Sequence, residues 1–261
     1  MSATLGEVFA RRDLLYLLAW REIRLKYKQS VMGMLWAVLM PTVIVSAGVV
    51  VRYGMSVVSG TPIQMADIAS VSVRSVPWAF FVASLRFSTS SLISNANLLT
   101  KIYLPREIFP MASILSQLMD FAVASAVLVL GLAVLRVGVS VELLWVPVFV
   151  VILVAFAAGL GIGLSAASLF FRDVKYIVEI VLTFAIFFTP VFYEASLFGK
   201  WERWLLLNPV APILEGLSAA IVARRSPDPG WTAYSAVVAL LTLAGALVMF
   251  RRLEPYFAEN V

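Results

Sequence analysis

Few residues of this 261-residue chain stand where they could do chemistry within an apolar run. Asp120 and Glu179 lie within or near long hydrophobic stretches, and intramembrane carboxylates of this kind can serve as proton relays. Their supporting cast is missing. The chain contains neither histidine nor cysteine, which removes His bases, thiol nucleophiles, disulfides and the usual zinc or haem ligands. With no neighbouring His and no second deep carboxylate, an interhelical hydrogen bond is the expected role of Asp120, and Glu179 falls about one turn from the end of its span. Nucleotide chemistry is absent too. Lys200, the one lysine that follows a glycine, precedes Trp201 rather than Ser or Thr, so no Walker A sequence is present. Ala155, Gly159 and Gly163, with Gly161 among them, form a small-residue ladder suited to close helix packing, not a nucleotide loop.

Two other sets of residues suggest binding. Arg21, Arg24 and Lys28 share one helical face, while Tyr16, Ala19, Trp20, Ile23 and Tyr27 form an aromatic-rich stripe. A basic helix with an aromatic face lies in the membrane interface, where its cations can attract phosphate. The charges alone would enforce orientation, but that does not require the stripe. Aromatics also crowd two hydrophobic segments: Trp78, Phe80, Phe81 and Phe87, then Phe184, Phe187, Phe188, Phe192 and Tyr193. Sugar rings stack their C–H faces on such side chains; ordinary helix packing explains any one of them equally well.

Positioning these residues requires a membrane architecture. The chain is 62% hydrophobic with a mean hydropathy of +0.96. Its charged fraction of 13% is far below the roughly 25% of soluble domains. No polar stretch is long enough for a separate soluble domain. A crossing helix needs about 20 apolar residues, which predicts spans over 31–51, 110–135, 143–169, 176–193 and 232–250, with a less lipid-like one over 76–94 containing Pro77, Arg86 and the run Ser88-Thr89-Ser90-Ser91. Six spans put both termini on one side, where twelve Lys and Arg gather against seven opposite; that bias predicts cytoplasmic termini. The first 30 residues are basic, not apolar, unlike a cleavable signal peptide. Residues 194–230 contain apolar pieces too short to cross, broken by Asn208-Pro209 and Pro212. They predict paired re-entrant or interface helices in preference to a loop on the headgroups. The expected fold is all-α and integral to the membrane: a single domain with an amphipathic helix over 1–30, spans 1–5 over 31–193, short outer helices over 194–230, a sixth span over 231–250 and a tail over 251–261.

The segment from Ser94 to Pro110 predicts a short amphipathic turn carrying Leu98 and Ile102, stopped by Pro105. Such a helix, lying parallel to the membrane between two spans, can receive force from a soluble partner. At this point the sequence resembles a known family, the ABC-2 type membrane subunits that export O-antigen, capsular or teichoic-acid polysaccharide on a lipid carrier. The matching stretches are Trp20-Arg21-Glu22-Ile23-Arg24, Tyr27-Lys28-Gln29-Ser30, Gly33-Met34-Leu35-Trp36, Pro77-Trp78-Ala79-Phe80-Phe81, the 95–110 segment, Phe171-Arg172-Asp173-Val174-Lys175-Tyr176, Thr189-Pro190-Val191 and Leu207-Asn208-Pro209.

The resemblance implies a homodimer in the bacterial inner membrane, joined to two separate ATPase subunits that hold ATP and Mg, with no cofactor in this chain and no nucleic-acid partner. It also implies coupling to the ATPase through Asn97, Lys101, Tyr103, Pro105, Arg106 and Glu107, with Arg172, Asp173 and Lys175 as a second contact. Trp20, Arg21, Arg24 and Lys28 would meet the lipid diphosphate, and Trp78, Phe81, Phe87, Phe187, Phe188 and Tyr193 would line a glycan path. Residues 194–225 would form outer gate helices. Arg74 departs from the family, which usually has a small or apolar residue ahead of Pro77-Trp78. Competing expectations are an ABC-2 exporter of a drug or small lipid, a membrane-embedded glycan-processing enzyme, and a secondary transporter that runs without an ATPase.

Overall fold

The computed structural model describes residues 12–28, 32–33, 35–60, 62–101 and 105–259, with backbone only at 59, 99–101, 258 and 259. Among the described residues there are helices and turns and no strands. The helices are α1 (Arg12–Tyr27), α2 (Leu35–Ser59), α3 (Met65–Ser94), α4 (Ala96–Lys101), α5 (Ile108–Val134), α6 (Trp145–Phe170), α7 (Val174–Ala185), α8 (Glu202–Leu206), α9 (Val210–Ser218) and α10 (Pro229–Leu253).

Five helices, α2, α3, α5, α6 and α10, are long and apolar enough to cross a membrane. The predicted 76–94 span begins earlier, at Met65. Its first turn escapes a hydropathy reading because it is polar: Gln64 and Asp67 form a reciprocal capping box, and Arg52 of α2 donates to Asp67 Oδ1 at 2.6 Å. As expected, α3 is the least lipid-like span. It is the central helix, packed against α5, α6, α2 and α9, with Ser88, Thr89 and Ser91 turned onto its own backbone.

The predicted 176–193 span differs in form. Its helix is α7 plus one 3-10 turn, Ile186–Phe188, and it ends before Thr189-Pro190. At about 1.5 Å per residue these 15 residues reach about 22 Å, short of the roughly 30 Å hydrocarbon layer. The segment runs antiparallel to α3, with Glu179 beside Arg86 at 3.8 Å and Tyr193 beside Arg74 at 2.8 Å. The reason for the break is the proline, which cannot donate to a continuing helix.

Beyond it the chain forms the expected short pieces: a turn over Ala195–Trp201, α8, α9 and a wide turn over Ala219–Ala223. Non-helical backbone within an apolar layer must have its polar groups satisfied by protein. Here the Leu207 and Pro209 carbonyls accept from Tyr234 and Ser235 of α10 at 2.7 and 2.9 Å, and Asn208 Nδ2 donates to Thr189 Oγ1 at 2.9 Å. That contact brings 208 back to the level of 189, a re-entrant excursion. Asp228 then caps α10 by accepting from Gly230 and Trp231, with Pro229 in the first helical position.

The small-residue ladder packs as expected. Gly159 of α6 lies against the Thr242–Leu243 backbone of α10, Gly163 faces Ala246 and Met249, and Gly161 on another face receives Ser88 of α3.

Candidate functional site

The basic amphipathic helix is present as α1, and its last turns also dock along α5. Glu22 accepts from Ser113 Oγ at 2.9 Å and from Ser116 Oγ at 3.4 Å. Four residues on, Lys26 Nζ donates to Gln117 Oε1 at 3.0 Å and pairs with Asp120, which also accepts from the Tyr27 hydroxyl. Burial raises the Glu22 carboxyl above its usual range, opposed by the two serine hydroxyls and by Arg21 and Lys26. Burial and the Asp120 carboxylate likewise raise the Tyr27 phenol. Asp120 therefore has the interhelical partner that its isolation in the sequence suggested.

Of the four residues expected at the lipid diphosphate, none is buried. Arg21 Nη1 donates to Asn95 Oδ1 at 3.0 Å, and the Arg24 guanidinium lies 5.4 Å from the centre of the Trp20 ring. Lys28 is exposed and Trp20 partly so. Lys26, which the helical-face reading passed over, borders a cavity of about 370 Å³ between α1, α2, α3 and α5, with Trp36, Arg86, Phe87 and Asp120. Its spacing of four from Glu22 was the available signal.

The residues expected to couple to an ATPase gather at the end that also holds α1 and the end of α10. Asn97, Arg172, Asp173 and Lys175 present themselves at the surface. Lys101 closes α4 with its side chain outside the described residues, and Tyr103 lies outside them altogether. Pro105 and Glu107 are buried, so in this conformation they anchor the segment and offer a partner no surface. Arg106 turns inward, donating to the Glu254 carbonyl at 3.2 Å with its guanidinium 5.6 Å from the Phe257 ring centre. Phe257 itself is fully buried, 5.1 Å from Phe250 and 5.8 Å from Phe170 between ring centres. The chain's last turn thus joins the 105–107 turn to the end of α6, beside Arg172.

The aromatic set divides. Trp78 and Phe81 are core residues, 2% and 5% exposed, tilted against each other with Phe81 stacked on Phe156 at 5.8 Å. As helix packing they contribute no surface to a path through this conformation. Phe87, Phe187 and Phe188 are exposed, the last at 70%. Tyr193 is half-buried, its hydroxyl donating to the Phe187 carbonyl at 2.8 Å.

The sequence marked Arg74 only as a departure. It is 2% exposed on α3, and its guanidinium donates to the Tyr193 carbonyl at 2.8 Å and to Glu215 Oε2 at 3.1 Å, with Glu194 at 3.9 Å. Glu215 Oε1 in turn accepts from the Ala195 amide at 2.8 Å. A lone cation in an apolar run needs a carboxylate, and that rule was the signal for this cluster.

Comparison with known proteins agrees with this architecture. A protein of Myxococcus xanthus named O-antigen export system permease protein RfbA is 29% identical over 263 residues, covering 98% of each chain. Two Klebsiella pneumoniae proteins of the same name are each 26% identical over 216 residues, covering 82% of this chain and 81% of theirs. The family model described as ABC-2 type transporter matches residues 13–222. With that match over most of its length, on a polytopic all-helical membrane fold, the chain belongs to the ABC-2 type transporter family.

Proposed function

We propose that this chain is the membrane subunit of an ATP-driven exporter that moves a lipid-linked polysaccharide, of the O-antigen kind, out across the bacterial inner membrane. The observation that carries the reading is the similarity to an O-antigen export permease over 98% of each chain. Two copies form the conduit and two separate ATPase subunits drive it, binding ATP and Mg themselves. Exposed apolar residues along α7, among them Ile177, Val181, Phe184 and Phe188, leave a face suited to a second copy or to lipid. Both termini lie on the cytoplasmic side, in keeping with the excess of Lys and Arg there.

In this mechanism the chain breaks no bond. The anionic diphosphate of the carrier is drawn to the α1 cations, where charge-assisted bonds favour phosphate; Arg21, Arg24 and Lys28 are all exposed, and Arg21 also serves Asn95. The glycan then passes Phe87, Phe187, Phe188 and Tyr193, whose faces give many weak contacts. The ATPases close on ATP and press on Asn97, Lys101, Arg172, Asp173 and Lys175, shifting α3 and α5 against each other.

The test is to co-purify the chain with ATPases encoded beside it, reconstitute the complex, and measure hydrolysis with and without lipid-linked glycan. Stimulation by the glycan is expected. Failure to associate with any ATPase rejects the reading, and stimulation by drugs or small lipids alone replaces it with the rival exporter. Phe187→Ala with Phe188→Ala is expected to impair export and leave assembly intact; unchanged export would assign both rings to packing.

A further inference from the structure

The segment 189–223 is loosely held along its outer arm. Of residues 195–206, only Ala195 and Leu206 are buried, while Leu197, Phe198, Trp201 and Trp204 are exposed. Its backbone is interrupted at Pro190, at Gly199 with φ 51°, and at Asn208-Pro209. Against this stands one ionic cluster, a buried cation with two partly exposed carboxylates. Arg74 reaches the first arm at the Tyr193 carbonyl and Glu194, and the second arm at Glu215. Glu215 closes the triangle by accepting the Ala195 amide. All of these partners lie in the broken segment.

The cation sits on α3, a helix of 30 residues that runs on through Pro77, one turn beyond Arg74. Asn95, the residue that ends this helix, holds Arg21 of α1 and adjoins α4. From Arg74 to Asn95 the helix is about 31 Å long at 1.5 Å per residue. Pro77 removes one backbone hydrogen bond and is a natural bending point, but the turns on either side stay helical, so a push at the coupling end reaches Arg74 through it. A buried guanidinium does not leave its carboxylates without cost, because an unpaired charge in an apolar layer is strongly disfavoured.

We propose that Arg74 is a latch that holds the outer gate shut: it binds both arms of the 189–223 segment to α3, and displacement of α3 from its coupling end releases them. This rests on the reading of 194–225 as gate helices. Arg74 is a positioning residue and touches no substrate.

The natural absence of cysteine makes the test direct. Ala195, 2% exposed within the latched arm, is replaced by Cys in the full chain, bound to its ATPases in nanodiscs, and its labelling by a water-soluble maleimide is timed. Arg74→Met and Glu215→Gln are each expected to raise the labelling rate at least about tenfold, with Arg74→Lys intermediate. Glu194→Gln, whose carboxylate stands farther off at 3.9 Å against 3.1 Å for Glu215, is expected to raise the rate less than Glu215→Gln, a ranking that a general packing defect would not produce. Should Arg74→Met fail to assemble, Glu215→Gln and Glu194→Gln carry the decision. Equal labelling rates in parent and Glu215→Gln, or faster labelling in Glu194→Gln than in Glu215→Gln, would overturn the proposal. Labelling needs no knowledge of the cargo, so a failed latch and a failed polysaccharide reading are distinguishable: the first leaves glycan-stimulated hydrolysis intact, the second leaves the labelling pattern intact.

Discussion

Gly159 and Gly163 stand one turn apart on the same face of α6, toward α10, and the structure assigns them different tolerances for a single methyl group. A Cβ at Gly159 would lie 2.6 Å from the Leu243 nitrogen and 2.8 Å from both Leu243 Cα and the Thr242 carbonyl carbon. All three are backbone atoms, which cannot rotate away. Ordinary contact begins near 3.4 Å, so α6 and α10 would have to separate by about 0.8 Å. A Cβ at Gly163 meets only Met249 Cε at 3.5 Å and Ala246 Cβ at 3.8 Å, which is ordinary contact. Both Gly→Ala changes gain the same helix propensity, about 0.8–1 kcal/mol. The difference between the two variants therefore isolates the clash, an overpacking cost of about 1–3 kcal/mol. At about 2–4 °C per kcal/mol for a chain of this size, Gly159→Ala is expected to melt about 2–12 °C below Gly163→Ala. Thermal unfolding in nanodiscs, followed by tryptophan fluorescence, reads this out. Equal melting temperatures, or a lower one for Gly163→Ala, would refute close backbone contact as what joins α6 to α10.

Three further outcomes are expected. Phe257→Ala, which empties the fully buried ring site between Phe170 and Phe250, is expected to cost about 3–5 kcal/mol; a melt unchanged from the parent would show that the last turn is not part of the core. Because burial holds the Glu22 pKa above 4.5, the carboxyl favours the docked α1 when protonated. Its contribution is complete below about pH 4.5 and is lost as pH rises through the raised value, so a melting profile across pH should flatten in Glu22→Gln, and an identical slope would contradict the buried contact with Ser113 and Ser116. For Lys26 and Asp120, a double-mutant cycle to alanine should return a coupling of about 0.5–3 kcal/mol, while exposed Lys28→Ala changes stability by less than about 0.5 kcal/mol; a coupling near zero would mean that α1 docks without this pair.

Much of the architecture was legible from the chain's own pattern. The spans over 31–51, 110–135, 143–169 and 232–250 correspond to α2, α5, α6 and α10, because each is a long run whose transfer from water is favourable whatever it packs against. The broken character of 194–230 followed from Asn208-Pro209, while Pro212, also expected to break the chain there, lies in the first turn of α9, where a proline is tolerated. Less legible were segments where polar residues are satisfied by distant ones. The first turns of α3 read as loop because Asp67, Ser70, Ser72 and Arg74 depress hydropathy, although partners in α2 and in the 189–223 segment neutralise Asp67 and Arg74. Segment 176–193 read as one continuous span because its apolar run continues through Pro190, where the helix has already ended.

The amino-acid order by itself determined that this is a helical membrane protein with a basic amphipathic start, a short helix and a proline-bounded turn between two spans, and broken short helices before its last span. These are properties of local composition, set by the transfer free energy of each run and by the backbone limits of proline. Only the tertiary structure decided that Trp78 and Phe81 face inward while Phe187 and Phe188 face outward, that Lys26 and Tyr27 both meet Asp120, and that Arg74 binds both arms of the 189–223 segment. Those outcomes depend on how each helix is rotated and which helix lies beside it, and a hydropathy sum along the chain is the same for every rotation.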